Sequence, residues 1–170
     1  FYRYAGTSIQ LPENLRYINA YAFQYSKLTS IHIPAKVESI GDYAFANIGT
    51  LASITFAENS VLKTIGGRGF NSNGATEIIL PDSVESIGTD CFRSSRALKK
   101  IVLGAGMRTL GSYSIAGCAN LETIVMQEGL VTINSRAFAE NSSLRTVTIP
   151  DTVTTMGEYC FYAPSYASTS

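Results

Sequence analysis

The sequence predicts a repeat solenoid, a right-handed coil of about seven turns of ~23 residues. A parallel β-sheet lies on one face, with short turns or helical turns on the other. Three observations predict this. The phrase I-x-[IL]-P-x-x-[VL]-x-x-I-[GN]-x-x-[AC]-F recurs along the 170 residues, with full copies at Ile31–Phe45 and Ile78–Phe92. Its first apolar residue falls at Ile9, Ile31, Ile54, Ile78, Ile101, Ile124 and Val147, at spacings of 22, 23, 24, 23, 23 and 23. When the copies are aligned, each column holds one kind of side chain, so each column has a physical task.

The coil can be followed column by column. The pairs Ile9/Leu11, Ile31/Ile33, Ile54/Phe56, Ile78/Leu80, Ile101/Leu103, Ile124/Met126 and Val147/Ile149 alternate with period 2. That alternation places both members of a pair inside a strand and the middle residue outside. Successive coils then pair about 4.8 Å apart. The next inward columns are Leu15, Val37, Leu62, Val84, Met107, Leu130, Val153 and Ile18, Ile40, Ile65, Ile87, Leu110, Ile133, Met156. One position on, only Gly and Asn occur: Asn19, Gly41, Gly66, Gly88, Gly111, Asn134 and Gly157. These residues accept positive φ most readily, so the column predicts a left-handed turn closing each coil. A small column (Ala22, Ala44, Gly69, Cys91, Ser114, Ala137, Cys160) lets coils approach one another. An aromatic column (Phe23, Phe45, Phe70, Phe92, Ile115, Phe138, Phe161) stacks into a spine. The Asp42–Ala46 type of segment suits one short helical turn.

Two outward columns read as stacking devices. Arg16, Glu38, Lys63, Glu85 and Arg108 alternate in sign, and Tyr17, Ser39, Thr64, Ser86, Thr109, Thr132 and Thr155 form a hydroxyl ladder for a second strand row. Coil three departs most from the pattern, because Asn59 and Ser60 add length after its strand and Ala75 replaces a Leu. The join between coils three and four is therefore the expected soft point.

Composition narrows the function. Apolar residues make up 45%, enough for a continuous core, while charged residues are 15% with 13 basic and 13 acidic. A net charge of zero with no basic stripe argues against nucleic acid as the main partner. No apolar run approaches the ~20 residues of a membrane-spanning helix, so this segment is not expected to insert into a membrane. Phe1 sits where the Phe of a preceding repeat would sit, and neither end carries an obvious polar cap. Residues 1–161 thus read as an array cut from a longer polypeptide, and 162–170 as a Ser/Tyr-rich tail or linker.

The combination I-P-x-x-V-x-x-I-G-x-x-A-F, clearest at Ile33–Phe45, Leu80–Phe92 and Ile149–Phe161, resembles the BspA-like class of leucine-rich repeats over about residues 8–161. The family commonly has a Cys three residues after the Phe; here that slot holds Ile48, Asn73, Ser95, Cys118 and Asn141. The resemblance implies a surface-displayed or secreted bacterial or protist protein that binds other proteins through its solenoid, often in adhesion.

Catalytic or metal chemistry finds little support. Cys91 and Cys160 lie three coils apart, about 14 Å at ~4.8 Å per coil, whereas a disulfide needs Cα atoms within about 7 Å. Cys91 and Cys118 occupy adjacent coils but different columns. Three cysteines without a CxxC, and one histidine, make a poor zinc site, so all three are expected to be buried free thiols. His32 lies outward beside Thr55 and Ser30, with no carboxylate in the strand positions until Glu77, so a nucleophilic triad lacks its acid. The segment Ile65–Gly69 lacks the Lys-Ser/Thr of a phosphate loop. Asn141 opens a glycosylation sequon but falls in a slot expected to hold a buried polar residue. No cofactor is implied.

The outward middle column, Gln10, His32, Thr55, Ile79, Val102, Val125, Thr148, is more informative. Ile79, Val102 and Val125 stack on the face that repeat proteins usually present to ligands, flanked by Glu77, Lys100 and Thr123. One reading is simple strand propensity of branched residues; the other is a protein-binding centre with a polar rim. The sequence thus points to a non-enzymatic protein-binding module. A structural spacer that stacks on further copies of the array is the other reading.

Overall fold

The computed structural model describes residues 1–163, so most of the 162–170 tail lies outside the described residues. Every regular element among them is a short strand, and no helix occurs. One row consists of two-residue strands: β1 (Tyr17–Ile18), β3 (Ser39–Ile40), β5 (Thr64–Ile65), β7 (Ser86–Ile87), β9 (Thr109–Leu110), β11 (Thr132–Ile133) and β12 (Thr155–Met156). These form one parallel seven-stranded sheet in that order. The expected hydroxyl ladder is its register, Tyr17↔Ser39, Ser39↔Thr64, Thr64↔Ser86 and onward. The second row holds β2 (Ser30–Ile33), β4 (Ser53–Phe56), β6 (Glu77–Ile79), β8 (Lys100–Val102) and β10 (Thr123–Val125). The outermost copies, Ile9/Leu11 and Val147/Ile149, form no strand.

The second row is split into β2–β4 and β6–β8–β10, with no pairing between β4 and β6. The break falls at the join between coils three and four. Eight residues separate Ile54 from Leu62, against six from Ile31 to Val37 and from Ile78 to Val84. The added residues turn through Asn59 at φ 55°. Inward columns still meet, because β5 pairs with β7 below the break.

The core is one continuous cluster of the inward columns. Its aromatic spine stacks nearly parallel, with centroid separations of 5.3 Å for Phe1–Phe23, 5.1 Å for Phe23–Phe45, 5.0 Å for Phe45–Phe70 and 5.7 Å for Phe70–Phe92. Ile115 interrupts it, and Phe138–Phe161 resume at 5.1 Å. In the last described coil Met156, expected inside, is 48% exposed, since no described coil covers it.

The Gly/Asn column does not have positive φ. Only Gly117 and Gly129 among the glycines do. The column is small because of close approach: a Cβ on Gly41 would lie 2.6 Å from the Ala20 backbone nitrogen, and one on Gly88 2.5 Å from that of Gly67. Asn134 occupies the same column by donating its Nδ2 to the Leu110 carbonyl at 2.8 Å. Left-handed backbone instead appears two and six residues later, as at Tyr43 (φ 57°) and Asn47 (φ 58°). Such residues cost roughly 1–2 kcal/mol each. They aim alternate N–H groups along the solenoid: Tyr43, Phe45 and Asn47 donate to Gly67, Gly69 and Asn71 carbonyls at 2.9, 2.7 and 2.8 Å. The expected helical turn is therefore replaced by successive tight turns, such as Ala46 N–H to Tyr43 C=O at 3.2 Å.

The charge column pairs rather than running on. Arg16 Nε bonds Glu38 at 2.8 Å and Lys63 bonds Glu85 at 2.8 Å. Hydrogen bonds from Arg16 and Tyr17 hold the Glu38 carboxyl below its usual range, and Lys63 does the same for Glu85. Arg108 turns to the Gly129 carbonyl at 3.0 Å instead. Asn141 is 5% exposed, donates to the Ile115 and Phe138 carbonyls, and accepts from Cys118 N–H. A sequon asparagine so engaged is not presented for modification in the folded chain.

Cys91, Cys118 and Cys160 are free and buried. Burial pushes the Cys118 thiol up to about 12 and raises the other two as well. A thiol reagent at pH 8 should thus react slowly with native protein and titrate three thiols on unfolding without reductant. Fewer than three would reveal a bridge.

Candidate functional site

The candidate face is built by β6, β8 and β10. Alternation buries Ile78, Ile101 and Ile124 and sends their neighbours outward. Parallel register aligns Glu77↔Lys100↔Thr123 and Ile79↔Val102↔Val125. All six residues predicted from the sequence therefore share one surface. Ile79 is 56% exposed, while Val102 and Val125 are half-buried. Beside them Lys100 Nζ meets Glu77 Oε1 at 2.8 Å, with both side chains about half exposed. An exposed pair of this kind contributes little stability, about 0–1 kcal/mol.

The break in the strand row gives this patch an edge. A cleft of about 450 Å³ lies between β4 and β6, lined by Ser53, Thr55, Phe56, Thr76, Glu77 and Ile79. A second hollow of about 260 Å³ continues it past Phe56 and Ile79 to Pro81. Ile79 and Phe56 line both, so the most exposed apolar side chain of the face stands at the rim of a concave surface. His32 lies across the break on β2, its Nδ1 hydrogen-bonded to Thr55 Oγ1 at 3.0 Å.

A second surface was not anticipated from the sequence. The left-handed column reads Tyr21, Tyr43, Arg68, Asp90, Tyr113, Arg136, Tyr159. Tyr21 and Tyr43 stack at 5.0 Å, and the Arg68 guanidinium lies 5.3 Å from the Tyr43 centroid. Arg68 and Arg93 both grip the buried carboxylate of Asp90, at 3.1 and 3.0 Å. Arg93 and Arg136 flank Tyr113 at 4.6 and 5.5 Å, and Arg136 lies 5.1 Å from Tyr159. Aromatic and guanidinium groups are thus interleaved along the turn ridge. Tyr and Arg at the repeat spacing were the available signal, in the open position between the Gly/Asn column and the small column.

Among the described residues no group of His, Cys, Asp and Glu side chains could hold a metal ion, and no helix is long and apolar enough to cross a membrane.

A family model described as the BspA type leucine rich repeat region matches residues 1–73 and 63–168, in six copies. Curated proteins yield no match. Among solved structures, a T. pallidum leucine rich repeat protein superposes with a TM-score of 0.76 at 24% identity, covering 89% of this chain and 72% of that one. A leucine rich cell surface protein from Faecalibacterium prausnitzii superposes with 0.70 at 25% identity, covering 84% and 39%. The pneumococcal vaccine antigen PcpA gives 0.48 at 24% identity, covering 86% of this chain, which spans about half (51%) of the antigen.

Proposed function

The chain belongs to the BspA type leucine-rich repeat family, and we propose that it is a non-catalytic protein-binding module of a cell-surface or secreted protein, acting in adhesion through the β6–β8–β10 face. The observation that carries this reading is the exposed Ile79, in register with Val102 and Val125 and standing at the rim of the β4–β6 cleft. An apolar centre with a polar rim is the arrangement that excludes water from a contact and concentrates its energy. The similar F. prausnitzii protein is described as a cell surface protein, which supports the location. Repeat solenoids are built to offer a long surface.

The test replaces Ile79, Val102 and Val125 with Thr together and measures binding to a panel of immobilised extracellular-matrix and serum proteins. Thr keeps strand propensity, so the fold should persist with little change in thermal midpoint. Hot-spot truncations commonly cost about 2 kcal/mol or more each, so a protein bound by the parent should lose at least ~100-fold in affinity. Glu85→Gln, in the other strand row, should leave binding unchanged. Equal binding by the triple variant would remove this face from the function.

A further inference from the structure

The turn ridge carries a second site with different chemistry. The position after the spine residue is polar in coils one, three and four (Gln24, Asn71, Arg93) but Ala46 in coil two. Across these four coils lies a depression of about 360 Å³, lined by Gln24, Tyr25, Asn47, Arg68, Asn71 and Asp90 among others. Gln24 is only 7% exposed, lines the depression, and no described protein group bonds its side-chain amide. The Asn47 amide is likewise uncommitted, and Tyr25 keeps 48% of its surface in solvent.

Both guanidiniums in the hollow are already engaged. Arg68 and Arg93 are held by Asp90, and Asp42 lies in the adjoining hollow with Arg68. Backbone is committed too: Tyr25, Asn47 and Ser72 donate their N–H groups to Ala46, Asn71 and Arg93 carbonyls. An anion finds no unpaired guanidinium here, and an extended peptide finds no free strand edge. What remains open are two carboxamides, each donor and acceptor at once, beside the half-exposed amphipathic ring of Tyr25, which Tyr2 meets at right angles at 6.0 Å and the Arg3 guanidinium approaches to 6.0 Å. Adjacent sugar hydroxyls also donate and accept, and the C–H face of a pyranose packs on an aromatic ring. We propose that this depression binds a neutral saccharide. The proposal is independent of the strand face, so either can fail alone.

The experiment titrates ¹⁵N-labelled protein with lactose, cellobiose and mannobiose as neutral probes and digalacturonate as the charged one. At least one neutral probe should shift the side-chain amide signals of Gln24 and Asn47 in a saturable way. Gln24→Leu and Tyr25→Asn should each weaken that probe at least tenfold. Asn suits position 25, which has φ 59°. Gln24→Leu should leave the thermal midpoint unchanged or raised, since an amide without a partner contributes nothing to the fold. No response to any neutral probe, a response to digalacturonate alone, undiminished binding by Gln24→Leu, or a lowered midpoint in that variant would each overturn the proposal.

Discussion

Gly88→Ala is expected to destabilise the solenoid by about 2–3 kcal/mol, an overpacking cost, although Gly88 has ordinary negative φ. The added methyl would sit 2.5 Å from the Gly67 nitrogen and 2.8 Å from the Gly66 carbonyl carbon, both main-chain atoms of the preceding coil. Backbone cannot rotate aside as a flexible side chain does, so the coils must part locally and loosen the β5–β7 pairing. Gly117 is the matched control. Its φ is +67° but a Cβ there meets nothing closer than 3.6 Å, so Gly117→Ala should cost only about 1 kcal/mol. Urea unfolding of both variants separates the two reasons for glycine. If Gly88→Ala is neutral and Gly117→Ala is the more damaging, close approach is not what selects the column.

That contrast marks where the sequence was legible and where it was not. Periodicity in Ile, Pro and Phe columns gave the coil, the inward faces and the register, because burial imposes one class of side chain on each column. The lengthened coil three, at Asn59 and Ser60, located the interruption between β4 and β6. The Gly/Asn column was misread because two physical demands, positive φ and lack of room, select the same residue; Asn134 answers neither alone but fits by bonding Leu110. The true left-handed positions carry mainly Tyr, Arg and Ser, residues that do not advertise that conformation, with Asn47, Asp90 and Gly117 scattered among them. For the strand face, alternation alone puts Ile79, Val102 and Val125 outside. The Gln24 hollow was hidden, because its lining is drawn from several columns of four successive coils and no single column marks it.

Phe45→Ala should be the most damaging single change, costing roughly 3–5 kcal/mol. Phe45 is fully buried and stacked on both faces, 5.1 Å from Phe23 and 5.0 Å from Phe70. Truncation removes its own burial and also leaves two facing rings without a partner, while the solenoid's backbone ladder resists collapse into the void. Each coil touches only its neighbours, so the loss falls on the interfaces of coil two rather than on the whole array. Amide exchange should accordingly quicken in coils one and two, while the Ile87, Leu110 and Ile133 amides of the later coils change less. The chain supplies its own comparison at Ile115, which interrupts the spine yet is fully buried. A branched aliphatic at this column is thus tolerated, and Phe45→Ile should cost less than half as much as Phe45→Ala. A Phe45→Ala variant within about 1 kcal/mol of the parent, against the cost expected for a buried ring, would mean that the stacked spine is a consequence of coil spacing and not a source of its stability.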